Sequence, residues 1–259
     1  MRILLTNDDG HDAEGLATLY HAAGELGEVL VVAPDRQHSR QSHAITTTEP
    51  IELRRSARFK DGWQCSGTPA DCVRLGLRHL PIGPIDLVMA GINHGGNLGV
   101  EVFYSGTIAA AREAALLGVP GIAVSQLLRD HSEDWPAARR MTARALCTLW
   151  ELAGAGGSGA GQGSVNAARL APLTSINLPA PADGKEMGVT LAALSPDPLV
   201  TSFTPPVDEG ASTVRAQYRA RYFDRPARPE SDVHAVFNNW ITITMMNVDG
   251  SAWKRVGAG

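Results

Sequence analysis

Ile3-Leu4-Leu5-Thr6-Asn7-Asp8-Asp9-Gly10 is the stretch on which the fold turns. Ile3 to Thr6 is a short apolar, β-rich run of the kind that forms a strand buried on both faces, and Asn7-Asp8-Asp9-Gly10 breaks it. Asp12 and Glu14 then supply an acidic first turn to a helix whose apolar positions, Leu16, Leu19, Tyr20, Ala23 and Leu26, keep helical spacing as far as Gly27. Val29 to Ala33 follows at once as a second strand. Two carboxylates therefore stand at a strand end, just where a crossover helix begins.

Outward from this unit the alternation repeats. The sequence predicts a helix from about Pro69 to Leu80, a strand Ile85 to Ala90, a helix Thr107 to Leu117, a strand Gly121 to Ser125, a helix from about Glu133 to Leu152 and a strand Leu173 to Leu178. Such an order implies an α/β fold: a doubly wound, mainly parallel sheet in a three-layer arrangement. Between 42 and 67 the segments shorten, as expected of β-hairpin insertions beside the main sheet. Residues 153–164 are rich in glycine and read as a flexible loop. From Asp183 onward Pro196, Pro198, Pro205, Pro206, Pro226 and Pro229 interrupt any regular period. The expected organisation is a core over 1–182 and an extended C-terminal arm or subdomain over 183–259, with a strand at Trp240 to Thr244.

The chain has 259 residues and a formal net charge of -4, so no basic field invites a nucleic-acid backbone. Cys65, Cys72 and Cys147 make neither an even disulfide framework nor a Cys-x-x-Cys pair, which fits a reducing compartment. No apolar run is long enough to span a bilayer and no charged leader precedes the first strand. The expectation is a cytoplasmic protein that binds a small molecule, with neither membrane nor nucleic acid as partner.

In open parallel sheets, ligands bind beyond the carboxyl ends of the strands. Strand one delivers Asp8 and Asp9 there; the loop after strand two delivers Asp35, Arg36, His38 and Ser39; the strand ending at Ala90 delivers Asn93, His94 and Asn97. Adjacent carboxylates repel unless a cation neutralises them, and oxygen donors from Asp, Asn and Ser favour a hard ion such as Mg²⁺ or Mn²⁺. Taken alone, Asp-Asp-Gly is more often an exposed turn; the company of the other strand ends reverses that reading. Ser105-Gly106-Thr107 opens an alanine-rich helix and offers hydroxyls and free N–H groups to an anion such as phosphate, or simply a cap. Ser66-Gly67-Thr68-Pro69 reads as a cap with proline at the first helical position. Ser42 and His43 are adjacent, a poor arrangement for a nucleophile and its base. No phosphate-binding P-loop and no dinucleotide fingerprint is present.

Taken together, the sequence resembles the SurE, or stationary-phase survival protein, family of 5'-nucleotidases. The resemblance rests on Ile3 to Gly10, Ala33-Pro34-Asp35-Arg36 with Ser39, Ser66 to Val73, Gly91-Ile92-Asn93 with Gly95, Asn97-Leu98-Gly99, and Tyr104 to Thr107. It implies a Rossmann-like fold and one divalent metal ion per subunit, held by Asp8, Asp9, Ser39 and Asn93. Asp8, Asp9 and Asn93 would act in catalysis, while Asn97, Ser105, Gly106 and Thr107 would contact phosphate. The implied reaction is hydrolysis of nucleoside 5'-monophosphates, with 3'-monophosphates a further option, and the implied assembly a homodimer or homotetramer with exchanged C-terminal segments. A different class, a non-catalytic nucleotide or phosphate sensor on the same fold, is the alternative. Asp8 as a covalent nucleophile is the alternative mechanism, and His94 and His234 are candidates for the general acid. Over the C-terminal half the match is approximate: Ser231-Asp232 and Ile241 to Met245 stand where the family has a Thr-Asp pair and a later strand, and no Pro-Arg-Gly occurs.

Overall fold

A computed structural model describes residues 1–129, 133–154, 167–180, 185–205, 207–208, 213–220 and 222–252. Beyond Gly154 the expected glycine-rich loop lies outside the described residues. In chain order the elements are β1 (Arg2–Thr6), α1 (Glu14–Ala23), β2 (Glu28–Pro34), β3 (Leu53–Arg55), β4 (Gly62–Cys65), α2 (Pro69–Arg78), β5 (Leu87–His94), α3 (Gly106–Leu116), β6 (Gly121–Gln126), α4 (Trp135–Leu152) and β7 (Leu173–Leu178). They are followed by β8 (Gly188–Leu191), β9 (Thr201–Phe203), β10 (Val207–Asp208), β11 (Val214–Arg215), β12 (Tyr218–Ala220), α5 (Asp232–Phe237) and β13 (Trp240–Met246).

Nine of these strands form one sheet in the order β3-β4-β2-β1-β5-β6-β7-β13-β8. From β4 to β7 every neighbouring pair is parallel. The first strand shows why the sheet has two covered faces. Ile3 and Leu5 pack with Leu16 and Leu19 of α1 and Met141 and Leu149 of α4, while Leu4, one residue out of phase, packs with Val73 of α2 and Ala110 and Ala114 of α3. Period-two alternation with both phases apolar demands helices on both sides, which gives the Rossmann-like three-layer arrangement.

Two expectations need correcting. The segment 42–67 does contain a hairpin, β3 with β4, but as part of the sheet and not beside it: β4 pairs in parallel with β2, and β3 is the antiparallel edge strand next to it. Nor does residue 182 separate two bodies. β13 runs antiparallel to β7 inside the same sheet and carries β8 on its far side, because Ile241 and Ile243 supply one buried face and Thr242 and Thr244 the other. What does leave the sheet is a two-stage ribbon, β9 with β12 and β10 with β11.

β5 is the strand that shapes the site. Its register against β6 shifts between Ala90 and Asn93, and Gly91 sits at φ 132°, where a Cβ would lie 2.2 Å from the Val124 carbonyl oxygen. A bulge of this kind bends the strand and redirects the side chains that follow, here Asn93 and His94.

Candidate metal and phosphate site

Asp8 is the centre of the arrangement. Its side chain is 4 % exposed and its Oδ1 accepts a hydrogen bond from the Thr107 hydroxyl at 2.5 Å. Ser105, the N-cap of α3, accepts from the Ile108 N–H at 3.1 Å, so the helix begins directly behind Asp8. A Cβ at Gly106 would stand 2.9 Å from Asp8 Oδ2, so only glycine lets the helix start come this close. Burial pushes the Asp8 carboxyl up to about 6; the Thr107 hydroxyl pulls it down, Asp9 raises it further, and the Thr107 N–H lowers it. An anion at a helix N-terminus is well placed, and here the first anion there belongs to the protein.

Two of the three other expected donors share a cleft with Asp8. Asp8, Ser39 and Asn93 line one cleft of about 1040 Å³, together with Asn97 and Ser105. Asp9 stands beside it, its Oδ2 accepting from the His94 N–H at 3.1 Å. The amide nitrogen of Asn93 donates to the Gly95 carbonyl at 2.8 Å, which leaves Oδ1 as the group available to a cation. Ser39 Oγ accepts from Gln37 Nε2 at 2.8 Å. Two carboxylates, an amide oxygen and a hydroxyl make an all-oxygen set suited to a hard divalent ion. Among the described residues no group of three or more His, Cys, Asp or Glu side chains is placed to hold a metal ion, so this donor set depends on Ser39 and Asn93 beside its two carboxylates.

The expected phosphate contacts separate into two groups. Asn97 and Ser105 face the cleft. Gly106 and Thr107 lie behind Asp8, with the Thr107 side chain wholly buried. Of the remaining candidates, Thr68 and Asp71 form a capping box on α2, Ser42 Oγ donates to the Phe103 carbonyl, and His43 Nε2 pairs with Glu113 at 2.7 Å. Ser42 and His43 thus serve separate anchors. His94 lines the cleft, with its ring 4.9 Å from Trp135 and its Nδ1 3.4 Å from a Glu133 carboxyl oxygen. His234 contributes to the cap of α5 through its N–H on Ser231 Oγ.

The family profile described as Survival protein SurE matches residues 3–197. The chain belongs to the SurE family. A 5'-nucleotidase SurE of Syntrophomonas wolfei is 36% identical over 253 residues, which is 96% of this chain and 89% of that one. Its counterpart in Desulfitobacterium hafniense is 38% identical over 253 residues, covering 96% of this chain and 92% of the relative. Among solved structures, the SurE protein of Aquifex aeolicus superposes with a TM-score of 0.78 at 29% identity, covering 96% of this chain and 94% of that one.

In this SurE-family chain the C-terminal half also builds the site, and that is what the sequence did not disclose. Arg225, 4 % exposed, donates to Glu101 at 2.6 Å and to the Leu98 carbonyl at 3.0 Å. Asp232, fully buried, accepts from the Gly99 N–H at 2.6 Å and the Ser195 N–H at 2.9 Å. Tyr222 donates to the Gly96 carbonyl at 3.1 Å. All of these act on the loop between β5 and α3, which carries Asn97 and leads into Ser105. Burial raises Asp232 and Glu101 above the usual carboxylate range, opposed by the backbone N–H groups of Gly99, Ser195 and Val233 in the first case and by Arg225 in the second. Tyr104, Tyr218, Tyr222 and Phe223 add aromatic rings to the lining of the same cleft, with those of Tyr222 and Phe223 5.4 Å apart. The strand-end rule, applied to β6 and β7 as it was to β1, would have found Ser125 and Asn177, which hold Asn97.

Proposed function

We propose that the chain is a metal-dependent 5'-nucleotidase that hydrolyses nucleoside 5'-monophosphates to nucleoside and phosphate. The observation that carries this reading is the mixed lining of one cleft: oxygen ligands and phosphate donors around Asp8 on the one hand, and the aromatic rings of Tyr104, Tyr218, Tyr222 and Phe223 on the other. A nucleoside monophosphate has that same division, an anionic head and a flat apolar base. The SurE nucleotidases of Syntrophomonas wolfei and Desulfitobacterium hafniense support it, since they align over nearly the whole chain.

Asp8, Asp9, Ser39 and Asn93 would hold one Mg²⁺ or Mn²⁺. When bound, such an ion neutralises phosphoryl charge and makes a water acidic enough to serve as nucleophile near neutral pH. The protein's own share is orientation. Thr107 and the start of α3 fix the Asp8 carboxylate, and Gly95 fixes the Asn93 amide. Asn97 and Ser105 bind the phosphoryl oxygens, while Arg40, on the cleft wall, adds a positive charge for the same anion. His94, held between Trp135 and Glu133, is the residue best placed to give a proton to the leaving alkoxide.

The exposed Phe203, Val214 and Tyr218 on the ribbon of β9 to β12 support a homodimer or homotetramer. The test of function is phosphate release from a panel of nucleoside 5'- and 3'-monophosphates and an aryl phosphate with Mn²⁺ or Mg²⁺. Turnover of 5'-monophosphates that stops with chelator is expected; nucleotide binding without turnover would overturn the enzyme reading.

A further inference from the structure

Asn97 is held in an unusual way. Its backbone N–H donates to Asn177 Oδ1 at 2.8 Å, and its backbone carbonyl accepts from Asn177 Nδ2 at 3.1 Å. One side-chain amide thus satisfies both main-chain groups of one residue, as a neighbouring strand would. Asn177 is fully buried on β7 between Ser125 of β6 and Thr242 of β13, and its Nδ2 also reaches Ser175 Oγ at 3.2 Å. Ser125 completes the mount: its Oγ accepts from Asn97 Nδ2 at 2.7 Å. That leaves the second hydrogen of the same amide nitrogen as a donor. Asn97 lines the cleft, whereas Asn177 lies behind it.

We propose that Asn177 is a positioning residue for phosphate recognition, holding the Asn97 backbone so that the remaining Asn97 N–H meets a phosphoryl oxygen. The proposal rests on the reading of Asn97 as a phosphate contact. A buried amide that pairs both backbone groups cannot be replaced without leaving a donor or acceptor unpaired, so the sequence is tied to asparagine here for geometry and not for contact with substrate. The three residues tie the loop after β5 to the carboxyl ends of β6 and β7, so the phosphate donor is referenced to the rigid sheet and not to its own loop.

The experiment is a double-mutant cycle on the metal-loaded protein with Asn97→Ala, Asn177→Ser and the pair. It reads kcat and KM for a nucleoside 5'-monophosphate, the inhibition constant of inorganic phosphate, and the thermal midpoint. Asn177→Ser should weaken phosphate inhibition and raise KM by roughly 10- to 100-fold, as displacement of a positioned group by about an ångström does. The pair should be no worse than Asn97→Ala alone. Independent, multiplicative losses would overturn the proposal while leaving Asn97 as a phosphate contact. A silent Asn97→Ala would overturn the phosphate reading and this proposal with it. Should Asn177→Ser not fold, Asn177→Asp, which keeps shape and one acceptor, takes its place in the cycle with the same outcomes.

Discussion

The Thr107 hydroxyl donates to the Asp8 carboxylate at 2.5 Å, joining the first turn of α3 to the end of β1 across 99 residues of chain. A buried carboxylate proposed as a metal ligand needs one oxygen fixed so that the other is presented in a single direction. Thr107→Val keeps the shape and removes the donor. Outer partners of this kind are worth about 10- to 100-fold in metal affinity. Titration of Mn²⁺ binding by calorimetry should show that loss with an unchanged circular dichroism spectrum; equal affinity in the variant would deny Thr107 its orienting role.

Gly106→Ala should be more damaging than its size suggests. The added methyl would lie 2.9 Å from both the Cβ and the Oδ2 of Asp8, so either the helix start or the carboxylate must move. Turnover should fall by roughly 100-fold, the scale on which a misplacement of about an ångström acts, while the melting temperature drops only modestly. A crystal structure of the variant with Asp8 in place would refute this account.

Burial of Asp8 also sets a pH dependence in the metal-free protein. The folded chain holds its proton up to about pH 6, against 3.8 ordinarily. The stabilising contribution is therefore complete below the ordinary value and is lost as pH rises through about 6. Metal-free Asp8→Asn should be more stable than the parent at pH 7, by roughly 1–3 kcal/mol, and should lose that advantage near pH 4. Denaturant unfolding in chelator at the two pH values measures it. A variant less stable than the parent at pH 7 would contradict it.

Arg225 and Glu101 form a nearly enclosed ion pair at 2.6 Å. Arg225→Met would leave the Glu101 carboxylate without its partner, and breaking such a pair costs about 3–5 kcal/mol. The double variant with Glu101→Gln should recover much of that. Thermal or urea denaturation of the single and double variants decides; losses that simply add would show the pair to be uncoupled.

Much of this organisation was legible in the sequence for a physical reason. Strands buried on both faces, such as Val29 to Ala33, leave continuous apolar runs, and helices such as α1 and α4 leave their period. Turn residues after β1, β2 and β5 pointed to the candidate site, because in such a fold ligands bind beyond those strand ends. What could not be read was long-range. Nothing local distinguishes Asp232, whose partners are the backbone N–H groups of Gly99 and Ser195, from an ordinary helix-start carboxylate. Asn177 could be flagged by its place at the end of β7, but its role could not, since its partner is a backbone 80 residues away. The short segments of 42–67 signalled the hairpin of β3 and β4 but not its place in the sheet, because β4 joins through β2, a parallel pairing that no turn signals.

The bond from Gly99 to Asp232 spans 133 residues. A chain emerging from the ribosome can form β1, β2 and β5 early, and β6 and β7 then hold Asn97, yet the next turn of the same loop, at Gly99, stays unfastened until the last elements are made. Catalytic competence should therefore arrive as a late event in synthesis, and a chain cut short before α5 should be a folded-looking sheet without a working site.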